Sequence, residues 1–98
     1  MRDAPSDVRM RLRALGLRAT APRVAVYRLL ERARAPLSHG EACRRLKGEA
    51  VDPATIYRTL VTFVALGCVA RTDHADHVWR YALAARRRVS PRSPRFSA

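Results

Sequence analysis

Residues 52–67 read DPATIYRTLVTFVALG and carry the strongest helix signals in the chain. Asp52 can cap the unpaired N–H groups at the start of a helix, and Pro53 fits its first turn, where a missing N–H is harmless. Gly67 suits the turn that follows the last helical residue, because glycine readily adopts a left-handed backbone. This stretch therefore predicts one helix, and the rest of the fold is interpreted around it.

The predicted helix has an apolar face and a markedly different outward face. At about 100° per residue, its apolar side chains cluster on one side: Ile56, Leu60, Phe63 and Val64. Arg58 points about 160° away from Ile56, next to Ala54, with Val61, Thr55 and Thr62 on the flanks. Small residues, hydroxyls and one arginine suit a helix in the DNA major groove, where arginine can pair bidentately with guanine. The alternative is that Arg58 is one more solvated charge.

Three further helices are predicted upstream from their capping signals. The first begins after Ser6 and stops at Gly16, and the second begins after Thr20. The third begins with the capping box SHGE, residues 38–41, and ends near Gly48. The apolar positions that these helices would bury are Val8, Leu12, Leu15, Val26, Leu29, Leu30, Ala33, Ala42, Cys43 and Leu46. Tyr57, at the edge of the fourth helix's apolar face, is predicted to cap the core while its hydroxyl reaches a phosphate or base edge.

After Gly67 the apolar pattern alternates, as in strands. CVART and HVWRYAL, joined by the polar DHAD, predict a two-stranded hairpin with Val69, Val78 and Leu83 facing inward. Helices three and four are close enough for a helix-turn-helix, and a hairpin behind them completes a winged helix-turn-helix, a mainly α fold with a small antiparallel hairpin (α+β). We predict this domain over residues 1–84 and a disordered basic tail over residues 85–98.

The charge of the chain points to a polyanionic partner. The 98 residues include 20 basic and 8 acidic side chains, for a formal net charge of +12, and Lys47 is the one lysine. Neutralising phosphates releases counterions, so nucleic acid is the expected partner, although a solvated surface from an arginine-biased genome would look similar. No segment approaches the roughly 18 apolar residues of a membrane span, and no signal peptide is visible, so we expect a soluble cytoplasmic protein without membrane contacts.

Two other features narrow the class of protein. Cys43 and Cys68 lack any CxxC spacing, so buried free thiols are expected rather than a disulfide or a metal site. The chain also lacks a glycine-rich phosphate loop, a pair of catalytic carboxylates and a convincing nucleophile–base pair. We therefore expect no enzymatic activity and no small-molecule substrate.

Several stretches resemble the DNA-binding domain of the ferric uptake regulator family. They are LRALGLRATAPRVAVYRLL, PLSHGEACRRL, DPATIYRTLVTFVALGCVAR and HVWRYAL, within roughly residues 8–83. The resemblance implies a bacterial, cytoplasmic, sequence-specific regulator of transcription, expected to repress, with double-stranded DNA as its partner. It implies that Tyr57 and Arg58 lie on the recognition helix, that Arg18 reaches a minor groove and that Arg23 lies near the phosphates. The predicted DNA-binding residues are Arg18, Arg23, Thr55, Tyr57, Arg58, Thr59 and Thr62.

The sequence also departs from the family's pattern. Family members use zinc and a sensed metal such as iron, and they continue into a domain that provides dimerisation and most metal ligands. That domain usually begins with histidines and a CxxC, where this chain has RRRVSPRSPRFSA. A family histidine is replaced by Ala35-Pro36, and a wing carboxylate by Ala82. We therefore predict no metal cofactor, and a homodimer on DNA would lack its usual dimerisation domain.

Two alternative functions remain open from the sequence. A basic protein bound to RNA or the ribosome has the same charge, but it would bind duplex DNA and RNA equally and without sequence preference. A metal-responsive regulator with atypical ligands would need donors such as His74, Asp76 and His77, in HADH, with His39 elsewhere. Histidines in an exposed turn are more often polar turn residues, so these are weak metal candidates.

Overall fold

Four helices and three short strands make up residues 5–73 and 76–84, the part of the chain that the computed structural model describes. In chain order they are α1 (Pro5–Ala14), α2 (Ala21–Arg32), β1 (Leu37–Ser38), α3 (His39–Arg45), a 3-10 turn (Lys47–Glu49), α4 (Pro53–Ala65), β2 (Val69–Asp73) and β3 (Trp79–Leu83). The order confirms the predicted winged helix-turn-helix. The predicted basic tail and His74 lie outside the described residues.

The helices begin largely where the capping signals predict. Thr20, Ser38 and Asp52 each accept a hydrogen bond from a backbone N–H three residues further on. Glu41 completes the capping box by accepting from the Ser38 N–H at 2.9 Å. The predicted start of α1 after Ser6 is wrong, because the helix begins at Pro5. The fixed φ of proline suits the first helical position, so the helix extends back to it.

Gly67 ends α4 with a left-handed backbone at φ 82°. Its N–H donates to the Val64 carbonyl at 3.0 Å, and the Cys68 N–H donates to the Phe63 carbonyl at 3.1 Å. This pair of bonds is the Schellman arrangement, which satisfies carbonyls that the helix end would otherwise leave unpaired. The chain therefore turns sharply from α4 into β2.

Replacing Gly67 with alanine is expected to lower the free energy of unfolding by about 1–2 kcal/mol, because a Cβ disfavours the left-handed backbone. The added Cβ would meet nothing within 4 Å, so conformational strain is the whole effect. Gly40→Ala is the control. Gly40 has no left-handed backbone and lies in α3, where alanine is expected to raise stability by up to about 1 kcal/mol. Urea unfolding measures both, and a Gly67→Ala variant as stable as wild type would contradict the positive φ.

The wing is a three-stranded antiparallel sheet with β3 in the centre. In the predicted hairpin, β2 pairs with β3, with Val69 opposite Leu83. On the other side, β1 pairs with β3, with Ser38 opposite Arg80. The prediction of two strands missed β1, since its two residues are too few to show alternation. Because Ser38 also caps α3, the sheet is joined directly to the start of that helix.

The core lies between the helices and one face of the sheet. Its buried apolar side chains include Val8, Leu12, Val26, Tyr27, Leu30, Ile56, Leu60, Phe63, Val69, Tyr81 and Leu83. The predicted core positions Leu15, Cys43 and Val64 are only half-buried. Cys68 is half-buried as well, and both cysteines are free. No helix in the described residues is long and apolar enough to cross a membrane.

The predicted inward position of Val78 is wrong. Val78 precedes β3 and is 39% exposed, whereas Tyr81 is buried in the core. Alternate residues of a strand face the same side, so Tyr81 and Leu83 share the inward face. Val78 lies five positions from Leu83 and therefore cannot share that face in a regular strand.

Candidate nucleic-acid interface

A groove of about 480 Å³ runs between the start of α2 and the outward face of α4. It brings together residues that are far apart in the sequence. Its lining is Arg18, Thr20, Pro22, Arg23, Thr55, Arg58, Thr59 and Thr62. Three arginines and four threonines, with no acidic side chain among these described lining residues, make the groove positive and rich in hydroxyls. Six of the seven predicted DNA-binding residues, all except Tyr57, are therefore gathered here.

Arg58 lies on the exposed face of α4, as the periodicity predicts. Its Nη2 donates to the Thr55 hydroxyl at 3.4 Å, and that hydroxyl donates to Asp52 Oδ1 at 2.6 Å. The Thr55 hydroxyl bond is the main reason why the pKa of Asp52 is lowered, and the charge of Arg58 contributes less. The guanidinium is thus aimed over the first turn of α4 by one weak bond, and its other N–H groups remain available to a ligand.

Tyr57 is 47% exposed and does not cap the core as predicted. Its ring packs edge-on against His39, with centroids 5.5 Å apart. His39 Nε2 lies 2.9 Å from the Pro53 carbonyl oxygen, a distance at which the N–H donates to that carbonyl. The core position is occupied instead by Tyr27, whose ring meets Phe63 edge-on at 6.0 Å. Tyr57 is therefore held outward, beside Arg58.

His39 was not among the predicted interface residues. It is the first residue of α3, and it contacts both Pro53 and Tyr57 at the front of α4. Cys43 Sγ lies 3.3 Å from the same ring nitrogen. The sequence signal that could have identified His39 was its position directly after the Ser38 cap. This position puts the ring at the start of a helix that must pack near α4. His39 thus sets the spacing between the two helices.

Arg18 and Arg23 meet at the α2 end of the groove. Arg18 is exposed in the loop before α2, and Arg23 lies in the first turn of that helix. Arg23 Nη1 donates to the Arg18 carbonyl at 3.1 Å. Arg23 therefore holds the loop that carries Arg18, which leaves the Arg18 side chain free to reach away from the surface.

Thr59 and Thr62 contribute differently to the groove. Thr59 is only 6% exposed, and its hydroxyl donates to the Thr55 carbonyl at 2.8 Å. It forms part of the floor, because it lies about 60° from Ile56 on the helix and hence near the buried face. Thr62 is half-buried on the flank of α4, where its hydroxyl borders the groove.

Of the weak metal candidates, Asp76 and His77 lie among the described residues and His74 does not. Among the described residues, no group of three or more His, Cys, Asp or Glu side chains could hold a metal ion. The Asp76 carboxylate already accepts hydrogen bonds from Arg80 and from the Val78 N–H. The bond from Arg80 is the main cause of a pKa lowered to about 2 for Asp76. Ala35 and Ala82 provide no side-chain donors, so the residues described do not fit the metal centre that the family resemblance implies.

Comparisons with known proteins agree with this geometry. A family model described as the Ferric uptake regulator family matches residues 14–90. The chain is similar to the ferric uptake regulator from Pseudomonas aeruginosa, solved with manganese, at 32% identity and a TM-score of 0.70; the match covers 76% of this chain and 58% of that one. The Vibrio cholerae ferric uptake regulator matches at 28% identity and a TM-score of 0.71, over 76% and 59% of the two chains.

A third solved structure, PerR from Streptococcus pyogenes, shares the fold at 24% identity and a TM-score of 0.70, over 82% of this chain and 56% of that one. This chain thus spans less than three fifths of the length of these three relatives. No curated protein sequence matches it.

Proposed function

The chain belongs to the ferric uptake regulator family, and from this premise we propose that it binds duplex DNA in a sequence-dependent manner and regulates transcription. The observation that carries the proposal is the groove in which Arg18, Arg23 and Arg58 face one side of the molecule with the exposed face of α4. Repression, by occupying DNA that the transcription machinery needs, and action in the cytoplasm are parts of the same proposal.

In this proposal α4 enters the major groove with its exposed face toward the bases. Ala54 is small and exposed, so it permits close approach, while Arg58 reaches the base edges. Two parallel N–H donors of Arg58 match the O6 and N7 acceptors of guanine, which is the commonest specific contact of an arginine. The Tyr57 hydroxyl, held outward by His39, is placed to contact a phosphate or a base edge beside it.

The other end of the groove positions the module on the DNA backbone. The loop with Arg18 is free to enter a neighbouring minor groove, where a narrow groove attracts arginine. Arg23 and the first turn of α2 would face the phosphates, and backbone N–H groups at a helix start favour an anion there. Phosphate contacts would supply most of the affinity, consistent with a net charge of +12.

We further propose that this module binds DNA without a metal ion in its described residues and catalyses no reaction. One module on one half-site should bind with modest affinity, because two linked modules gain from effective concentration. A homodimer on two half-sites would bind more tightly.

The test is a selection of duplexes from a random pool, followed by fluorescence anisotropy on the enriched sequence. We expect one sequence to be enriched and to bind at least about tenfold more tightly than a scrambled duplex, since each mismatched pair costs about 1–3 kcal/mol. Affinity should fall steeply with salt, because bound counterions are released. Equal binding to the selected duplex, the scrambled duplex and duplex RNA would overturn the proposal and favour an RNA-binding protein.

A further inference from the structure

The wing carries an exposed aromatic side chain that the core does not use. Trp79, the only tryptophan of the sequence, begins β3 and is 46% exposed. The Arg71 guanidinium carbon lies 4.2 Å from the centre of its ring, which is a cation–π stack. The stack fixes the plane of the guanidinium against an exposed ring.

The strand register shows which way this stack faces. Arg71 lies opposite Tyr81, and Asp73 lies opposite Trp79. Since alternate residues share a face, Arg71, Trp79 and Tyr81 are all on the side of the sheet that packs on the helices. Tyr81 is buried there, whereas Trp79 stands two residues, or about 7 Å, further toward the wing tip and beyond the core. The stack therefore extends the inner face of the sheet into solvent.

This part of the wing adjoins the front of α4. β1 connects them, because Ser38 pairs with Arg80 and His39, the next residue, contacts Tyr57. The pKa of the Tyr81 hydroxyl is consistent with this proximity. Burial is the main reason why its pKa is raised, the neighbouring Tyr57 hydroxyl raises it further, and Arg71 acts in the opposite direction. Arg71 lies opposite Tyr81 in the sheet, and β1 joins the sheet to His39, which packs on Tyr57. The Arg71–Trp79 stack therefore continues the exposed surface that begins at Tyr57.

We propose that Arg71 and Trp79 form a second DNA contact, against the phosphodiester backbone that borders the groove entered by α4. The inference rests on the proposed function and extends it to two residues of the wing. One face of the guanidinium lies on the indole and one hydrogen bond goes to the Tyr81 hydroxyl, so the remaining N–H groups can donate to phosphate oxygens. The exposed part of the indole packs against deoxyribose, and its N–H is a further donor.

The charges around the Arg71–Trp79 stack limit where the DNA backbone can pass. Asp73 is exposed opposite Trp79, so the tip of the wing repels phosphate on that side. Asp76 does not repel phosphate in this way, because its carboxylate forms an ion pair with Arg80, with 2.9 Å between Asp76 Oδ2 and Arg80 Nη2. The attractive part of the wing is therefore the Arg71 side of the ring, which is also the side nearer to Tyr57.

Intrinsic fluorescence tests this contact directly, because all tryptophan emission of the full chain comes from Trp79. Acrylamide quenching is measured with and without saturating amounts of the selected duplex. We expect the quenching constant to fall by about half on binding, since a backbone that passes on the Arg71 side would cover the exposed edge of the ring. Unchanged quenching while anisotropy reports a bound duplex would overturn the inference and leave the proposed function standing. No duplex binding in either measurement would overturn both.

A matched pair of variants separates contact from charge. Arg71→Ala should weaken binding by about 3- to 10-fold on selected and scrambled duplexes alike, and lower the salt slope by about one, as expected for a phosphate contact. Arg13→Ala removes the same charge from the exposed surface of α1, away from the wing, and should change affinity less than about twofold. Equal losses at both positions would show bulk attraction only and would overturn the inference. Urea unfolding of each variant confirms that the wing remains folded.

Discussion

Replacing Arg58 with alanine is expected to weaken binding to the selected duplex by roughly 5- to 150-fold, the equivalent of about 1–3 kcal/mol for a bidentate pair with guanine. The loss should be confined to sequences with the preferred base pair, so preference at that position should relax. Arg58 is exposed and makes one weak side-chain bond, to Thr55, so the variant should fold normally. Repeating the duplex selection with the variant measures both effects.

Two further substitutions show what kind of contact Arg58 makes. Arg58→Lys keeps the charge but not the fork of donors, so it should bind scrambled duplexes like wild type and still lose the base preference. Arg13→Ala removes an exposed arginine of α1 that does not line the groove, and it should weaken all duplexes slightly and equally. Uniform weakening by Arg58→Ala would assign the residue to a phosphate, and no weakening would contradict its place on the reading face.

Replacing Phe63 with alanine is expected to lower the free energy of unfolding by about 3–5 kcal/mol, which is the usual range for a buried phenylalanine. Phe63 is completely buried, and its ring meets Tyr27 edge-on between α4 and α2. Whole domains of this size are stabilised by only about 5–15 kcal/mol, so a large share of the stability would be lost. DNA affinity should then fall with the folded fraction as temperature rises.

Urea unfolding followed by circular dichroism measures the Phe63 effect, and Val61→Ala is its control. Val61 lies two positions away on the same helix but is 39% exposed, so its truncation should change stability by less than about 0.5 kcal/mol. If Phe63→Ala lost less than about 1 kcal/mol, the apolar face of α4 would not be the centre of the core.

The sequence predicted best where the signal is local. Asp52, Pro53 and Gly67 bound α4 in the structure as their chemistry predicts, because caps act on backbone groups only a few residues away. The outward direction of Arg58 followed from helical period alone. The inward position of Val78 was predicted wrongly because the exact limits of β3 decide which residues share a face, and a one-residue shift exchanges the faces.

Features that depend on contacts between residues far apart in the sequence could not be predicted from its local pattern. β1 exists because β3 is beside it, and two residues alone carry no alternation. The approach of Arg23 to Arg18 and the packing of His39 on Tyr57 depend on how the helices cross, which no single helix encodes. The family resemblance placed Arg18 and Arg23 near DNA, but only the packed structure shows that they share a groove with Arg58.

Ser38 pairs with β3 in the sheet and also caps α3, and this double role restrains the wing. A rotation of the wing would have to disrupt either the pairing of Ser38 with Arg80 or the hydrogen bonds that begin α3. The angle between the wing and the start of α3 is therefore restrained. In the proposed complex, a duplex of unsuitable curvature would have to bend to fit the wing and α4 together, and stiff sequences would be penalised even at base pairs that no side chain touches.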